Sequence, residues 1–149
     1  MIVRKAVPEE TQQITKFQLA MALETENIIL DPETVRLGVQ AVFSDSAKGN
    51  YFIVEEDGQV IASLLTTFEW SDWRNGTVLW IQSVYVLPEF RRKGTYKALY
   101  GHVRTVVEND NSLKGIRLYA DKGNLTAQKV YEKLGMTADH YQLYEWLKI

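Results

Sequence analysis

A chain of 149 residues fits one domain and leaves little room for two. Hydrophobic residues make up 46% and charged residues 24%, an ordinary globular balance, and the net charge of −2 lacks the basic surplus that wholesale nucleic-acid binding needs. No cysteine is present, which excludes disulfides, thiolate metal sites and cysteine nucleophiles; chemistry here uses oxygen or nitrogen groups, or a thiol carried in by a cofactor.

The segment Met1-Ile2-Val3-Arg4-Lys5 turns polar too soon for a secretory signal, and no apolar run approaches the ~20 residues that span a bilayer. The expectation is a cytoplasmic protein that enters no membrane, binds no nucleic acid and needs no metal.

Ile2 to Val7 reads as a first strand, stopped by Pro8. Glu9 to about Glu26 reads as a helix with Ile14, Phe17 and Met21 on one face. Asp31-Pro32-Glu33 starts a second helix, with aspartate as N-cap and proline at the first helical position. Tyr51 to Glu55 and Val60 to Phe68 flank Glu56-Asp57-Gly58-Gln59, the signal of a hairpin. After a turn at Asn75-Gly76, Val78 to Leu87 is an apolar run suited to a central strand. A helix follows Gly94, with Tyr96, Leu99, Tyr100, Val103 and Val107 at steps of three and four. Ile116 to Ala120 reads as a strand, Asn124 to Leu134 as a short helix closed by Gly135, and His140 to Leu147 as a last strand. This order predicts an α/β (α+β) chain with a mixed sheet and helices on both faces.

The sharpest local feature is Val84-Tyr85-Val86-Leu87-Pro88-Glu89-Phe90-Arg91-Arg92-Lys93-Gly94-Thr95-Tyr96. It joins a strand to an amphipathic helix through a basic, glycine-containing loop. A helix start offers unpaired N–H groups and the positive end of the dipole, and neighbouring Arg and Lys add charge and donors. A basic triplet by itself is usually a solvated turn; between an apolar strand and a helix start it favours a phosphate site. Neither G-x-G-x-x-G nor G-x-x-x-x-G-K-S/T occurs, so dinucleotide and P-loop sites are not indicated.

V-Y-V-L-P-E-F-R-R-K-G-T-Y resembles the acyl-CoA-binding signature of the GNAT superfamily, Q/R-x-x-G-x-G/A after a strand, with Arg91 and Gly94 matching and Tyr96 standing where glycine or alanine is usual. Asn124-Leu125-Thr126-Ala127-Gln128-Lys129-Val130-Tyr131-Glu132-Lys133-Leu134-Gly135-Met136 resembles the family's N-x-x-A-x-x-x-Y-x-x-L-G-M/F helix. The two motifs come in the family's order, and the likeness covers essentially the whole chain. It implies a GNAT-like, mostly antiparallel sheet, splayed at the CoA site where strands ending near Val86 and Ala120 part. It also implies an N-acetyltransferase that moves an acetyl group from acetyl-CoA to an amine acceptor by direct attack. The backbone from Val84 through Tyr85 to Val86 would pair with the pantetheine arm. The amides of Arg91, Arg92, Lys93, Gly94, Thr95 and Tyr96, helped by the arginine side chains, would cradle the pyrophosphate. Asn124 would hydrogen-bond the cofactor, and Tyr131 would protonate the departing thiolate. Many such domains are homodimers, and Trp or Tyr on the last strand offers a surface for one.

The base that takes the acceptor's proton is less sharply marked. Glu69, at the end of the third strand, and Gln82 and Ser83, on the central strand, are the candidates; Gln82 cannot be a base but could hold a water. Tyr131 and Glu69 also have plain structural readings, as a core tyrosine and a solvated strand end. His102 reads as a wet helix residue, and His140 lies in no motif. On the acceptor side, Phe68-Glu69-Trp70-Ser71-Asp72-Trp73 could floor a cation pocket, with Glu24, Glu26, Asp31 and Glu33 adding negative charge nearby. A small-molecule amine is the favoured acceptor; a protein lysine or N-terminus, and a non-catalytic acyl-CoA sensor, are the rivals.

Overall fold

A computed structural model of the chain describes residues 1–148. It has two compact units, Met1–Arg117 and the segment from Leu118 onward. In the first unit β1 (Ile2–Lys5) leads through a short 3-10 turn to α1 (Thr11–Glu26) and α2 (Pro32–Ser44). Then come β2 (Asn50–Glu56), β3 (Gln59–Ser71), β4 (Gly76–Val86), α3 (Thr95–Glu108) and β5 (Leu113–Arg117). The strands lie side by side in chain order; every pair is antiparallel except β4 with β5, which is parallel.

Local chemistry explains the boundaries. Asp31 caps α2 by accepting the Thr34 N–H at 3.1 Å, with Pro32 behind it. Asp57 and Gly58, both at positive φ, form the two-residue turn that joins β2 to β3. Asn75, also left-handed, turns the chain into β4.

The helices cover both sheet faces. Ile14 of α1 and Val39 of α2 pack with Tyr51 and Ile53. His102 of α3 stacks 5.4 Å from Phe52, a neighbour of both and therefore on the opposite face. His102 is thus half-buried packing, not the solvated residue its sequence context suggested. Ile14, Phe17, Ile53, Ile61, Leu64, Leu99 and Val103 form the dry centre, where truncating one large side chain to alanine costs about 2–5 kcal/mol.

Two expectations need correcting. The parallel strand lies at Leu113–Arg117, three residues before the predicted Ile116–Ala120. The final strand expected over His140–Leu147 is not a strand: the described residues there make no β-ladder, and Tyr144 and Trp146 are exposed. Alternating Tyr, Leu and Trp confer β-propensity, but a strand exists only where a neighbour supplies the ladder. The second unit contains α4 (Leu125–Lys133).

Candidate functional site

The site begins with an irregularity in β4. Val86 faces Ala62 and Tyr85 faces Ser63, but Gln82 faces Leu65. Leu64 alone therefore opposes both Ser83 and Val84, a β-bulge, with Ser83 in left-handed backbone at φ +55°. On its other side β4 pairs with β5 only from Thr77 to Trp80. From Ile81 to Val86 no strand lies beside that edge among the described residues. The Leu87 N–H donates to the Ile61 carbonyl at 2.9 Å, so by antiparallel alternation Val86 points its N–H and C=O away from β3 and into the opening. β5 ends at Arg117, still paired with Trp80, so β4 runs on past it and Val84–Val86 lies along the open edge.

The chain leaves β4 through a 3-10 turn, Pro88–Phe90, and enters α3 at Gly94, whose φ of +81° suits glycine best. A Cβ at Gly94 would meet nothing within 4 Å, so the space before the helix is open. No side chain caps α3, which leaves its first-turn amides and dipole directed at that space. Thr95, nearly buried, donates its hydroxyl to the Phe90 carbonyl at 3.0 Å and pins the turn to the helix. Arg92 and Lys93 are exposed, Arg92 in left-handed backbone at φ +61°. Tyr96, the departure from the expected motif, packs its ring 6.4 Å from that of Tyr100, along the helix.

Arg91 is differently placed. Its Nη2 meets Glu24 Oε2 at 2.7 Å, its Nε donates to the Val86 carbonyl at 2.8 Å, and its guanidinium lies 5.3 Å from the Tyr85 ring centroid. The Tyr85 hydroxyl donates to the other Glu24 oxygen at 3.0 Å. Arg91, and then the Tyr85 hydroxyl, hold the Glu24 carboxyl below the usual carboxylate range against the opposing effect of partial burial.

On the α1 side of the sheet, Gln82 donates to Thr67 Oγ1 at 2.8 Å and Trp80 Nε1 donates to Glu69 Oε1 at 3.1 Å. The second Glu69 oxygen receives Arg117 of β5. Glu69 thus carries two protein donors and ties β3 to β4 and β5. Deeper, the amide nitrogen of Gln18 and the hydroxyl of Ser63 are buried without a partner among the described residues, as a site for water or a polar ligand group would leave them. Trp70 and Trp73 do not floor a closed pocket; Trp73 is 90% exposed. Two open clefts, about 330 and 440 Å³, run along α1 and α2, and neither includes a residue of 82–96. Among the described residues no group of three His, Asp or Glu side chains is placed to hold a metal.

Asn124 and Tyr131 belong to the second unit. Asn124 is the N-cap of α4, accepting the Ala127 N–H at 3.1 Å, and Tyr131 is half-buried. The helix closes in a Schellman motif, with Met136 N–H to the Tyr131 carbonyl, Gly135 N–H to the Glu132 carbonyl, and Gly135 at φ +87°.

Sequence reasoning assigned no role to the Ser83 bulge, to Trp80 and Arg117, or to the Glu24–Arg91 pair. A serine carries no bulge signal, and partners 67 residues apart leave no spacing to read.

Comparison with known proteins agrees with this geometry. Residues 16–136 match the Acetyltransferase (GNAT) family. A "possible acetyltransferase" from Clostridium difficile 630 is 40% identical, with a TM-score of 0.93 over 99% of this chain and 97% of its own. A "predicted acetyltransferase with acetyl-CoA" from Clostridium acetobutylicum shares the fold at 21% identity, TM-score 0.73, over 99% of this chain and 94% of its own. So does a ribosomal-protein-alanine N-acetyltransferase from Brucella melitensis biovar Abortus 2308, at 15% identity and TM-score 0.79, with 99% of each chain covered. No curated protein gives a significant match.

Proposed function

The chain belongs to the GNAT acetyltransferase family, and from that premise we propose that it transfers the acetyl group of acetyl-CoA to a primary amine on a small-molecule acceptor, in the cytoplasm, as a single catalytic domain. The observation that carries this reading is the juxtaposition of the open β4 edge at Ile81–Val86 with the uncapped start of α3.

The residues present fit the donor. An extended arm with amide groups can add to the open edge at Val84 and at the Val86 N–H, as a strand would, while the Val86 carbonyl stays with Arg91. A pyrophosphate suits the first-turn amides of α3 and the exposed Arg92 and Lys93. Bound acetyl-CoA supplies an acetyl group activated as a thioester. The bulge redirects the backbone near Val84, which makes its N–H the donor for the acyl carbonyl oxygen as charge develops there. The acceptor nitrogen, once neutral, forms the new C–N bond as the C–S bond breaks. The family likeness implies that Asn124 helps hold the donor and that Tyr131 gives its proton to the leaving sulfur.

Glu69 is a tie between strands on this reading, since both its oxygens already serve protein donors. The acceptor's proton passes to a water held at Gln82, whose own amide is oriented by Thr67.

One observation favours a second acceptor class. Trp70 and Trp73 stand open on the β3–β4 hairpin, a surface better suited to a peptide than to a small molecule. A thiol-release assay with acetyl-CoA, run against small amines and against peptides with free N-termini or lysines, tests both. Turnover with small amines supports the main reading, and turnover with peptides alone replaces it. A folded enzyme that releases no thiol with any amine would contradict acetyl transfer.

A further inference from the structure

Resting on the acetyl-CoA reading above, we propose that Arg91 is a positioning residue and not a phosphate ligand. Clamped by Glu24 and Tyr85, it sets the loop from Leu87 to Gly94 and couples α1 to the donor site, leaving the phosphates to Arg92, Lys93 and the α3 amides.

Four contacts fix the guanidinium and its counter-charge. Nη2 is taken by Glu24 at 2.7 Å, Nε by the Val86 carbonyl at 2.8 Å, and one face lies 5.3 Å from the Tyr85 ring centroid. Glu24 is fixed in turn by the Tyr85 hydroxyl at 3.0 Å. Tyr85 cannot follow a moving Arg91, because it is buried and its ring lies 5.2 Å from that of Phe17 on α1. A planar guanidinium held along its Nε edge, at one terminal nitrogen and over a ring uses the features that separate arginine from lysine. Turning it toward a phosphate would break the Glu24 pair and release the Val86 carbonyl.

The contacts also join two regions with different tasks. Glu24 is in the last turn of α1, just before the α1–α2 junction; Val86 ends the open edge of β4, and Arg91 begins the basic loop. Arg92 and Lys93, by contrast, form no ion pair among the described residues and are exposed.

The test compares Glu24→Gln, Arg91→Glu and the double swap Glu24→Arg/Arg91→Glu, each checked for folding by circular dichroism. The readings are acetyl-CoA affinity by titration calorimetry and amide hydrogen exchange of residues 91–97 without ligand. A strut predicts that Glu24→Gln weakens acetyl-CoA binding roughly three- to tenfold, the loss of one partly exposed hydrogen bond to a charged group. It also predicts faster loop exchange in Glu24→Gln, and a swap that recovers affinity lost in Arg91→Glu. A phosphate ligand predicts the reverse: Glu24→Gln would free Arg91 and keep or tighten binding, and the swap would stay as weak as Arg91→Glu. Either result overturns the proposal. If the wild type binds no acetyl-CoA, the functional reading fails by itself. The exchange data then decide the strut, with unchanged exchange in Glu24→Gln overturning it.

Discussion

Ser83 and Arg92 occupy left-handed backbone that residues of their type avoid, whereas the other non-glycine residues at positive φ are Asn27, Asp57 and Asn75, which tolerate it in turns. Both unusual residues flank the opening beside β4, where strain of about 1–2 kcal/mol each is sustained by the surrounding fold. Ser83→Gly should therefore relieve about 1 kcal/mol and raise the melting temperature by roughly 2–4 °C, while Ser83→Val should lower it. A fall with glycine would mean that the serine side chain supports the bulge. Glu69 offers a second test at this scale: Glu69→Gln should keep kcat within a few-fold. A loss on the order of a hundredfold or more would make Glu69 the base after all. Residues whose role depends on local backbone, such as Asp31 and Gly135, were legible because capping and helix-closing positions leave a short-range signature. Glu24 was visible only as negative charge near a helical junction. Its partner is 67 positions away, and only the fold brings them together.

Elements with clear turn chemistry emerged close to their predicted bounds. The two hairpins and α2 are the examples, since Asp57-Gly58, Asn75 and Asp31-Pro32 dictate backbone conformations directly. The parallel strand slipped because Lys114 and Gly115 interrupt its apolar pattern, and its position is set from outside. Thr77 N–H donates to the Ser112 carbonyl at 2.8 Å, which fixes where β5 meets β4. The splay itself was implied by family likeness and not by periodicity, since nothing in Ile81–Val86 distinguishes an unpaired edge from a covered one. Two pH dependences belong here. Burial pushes the Tyr51 hydroxyl on β2 up to about 12, so the folded state binds that proton more tightly than the unfolded chain, whose value is about 10. The stabilisation is complete below about pH 10 and is lost as pH rises toward about 12. Tyr51→Phe should flatten that alkaline decline in chemical-denaturation curves. The Glu24 carboxyl is shifted the other way, so the stability its clamp adds holds above about pH 4.3 and disappears as pH falls through its lowered value. Glu24→Gln should remove that part of the acid dependence; an unchanged acid limb would show that the clamp adds nothing to stability.

At the scale of the molecule, the first unit brings together secondary-structure ends in the region proposed as the donor site: a bulged strand running past the end of β5, an uncapped helix and a loop between them. Family membership and acetyl-transfer chemistry follow from the whole pattern, while the acceptor must be recognised by surfaces that vary without leaving a motif. The measurement that bears most directly on the central claim is calorimetric titration of acetyl-CoA into the wild-type protein and into Arg92→Glu/Lys93→Glu. Saturable binding by the wild type is predicted, weakening as salt rises because the grip on phosphate is largely electrostatic and nearly abolished in the charge-reversed variant. A folded wild-type protein that takes up no acetyl-CoA would contradict the account.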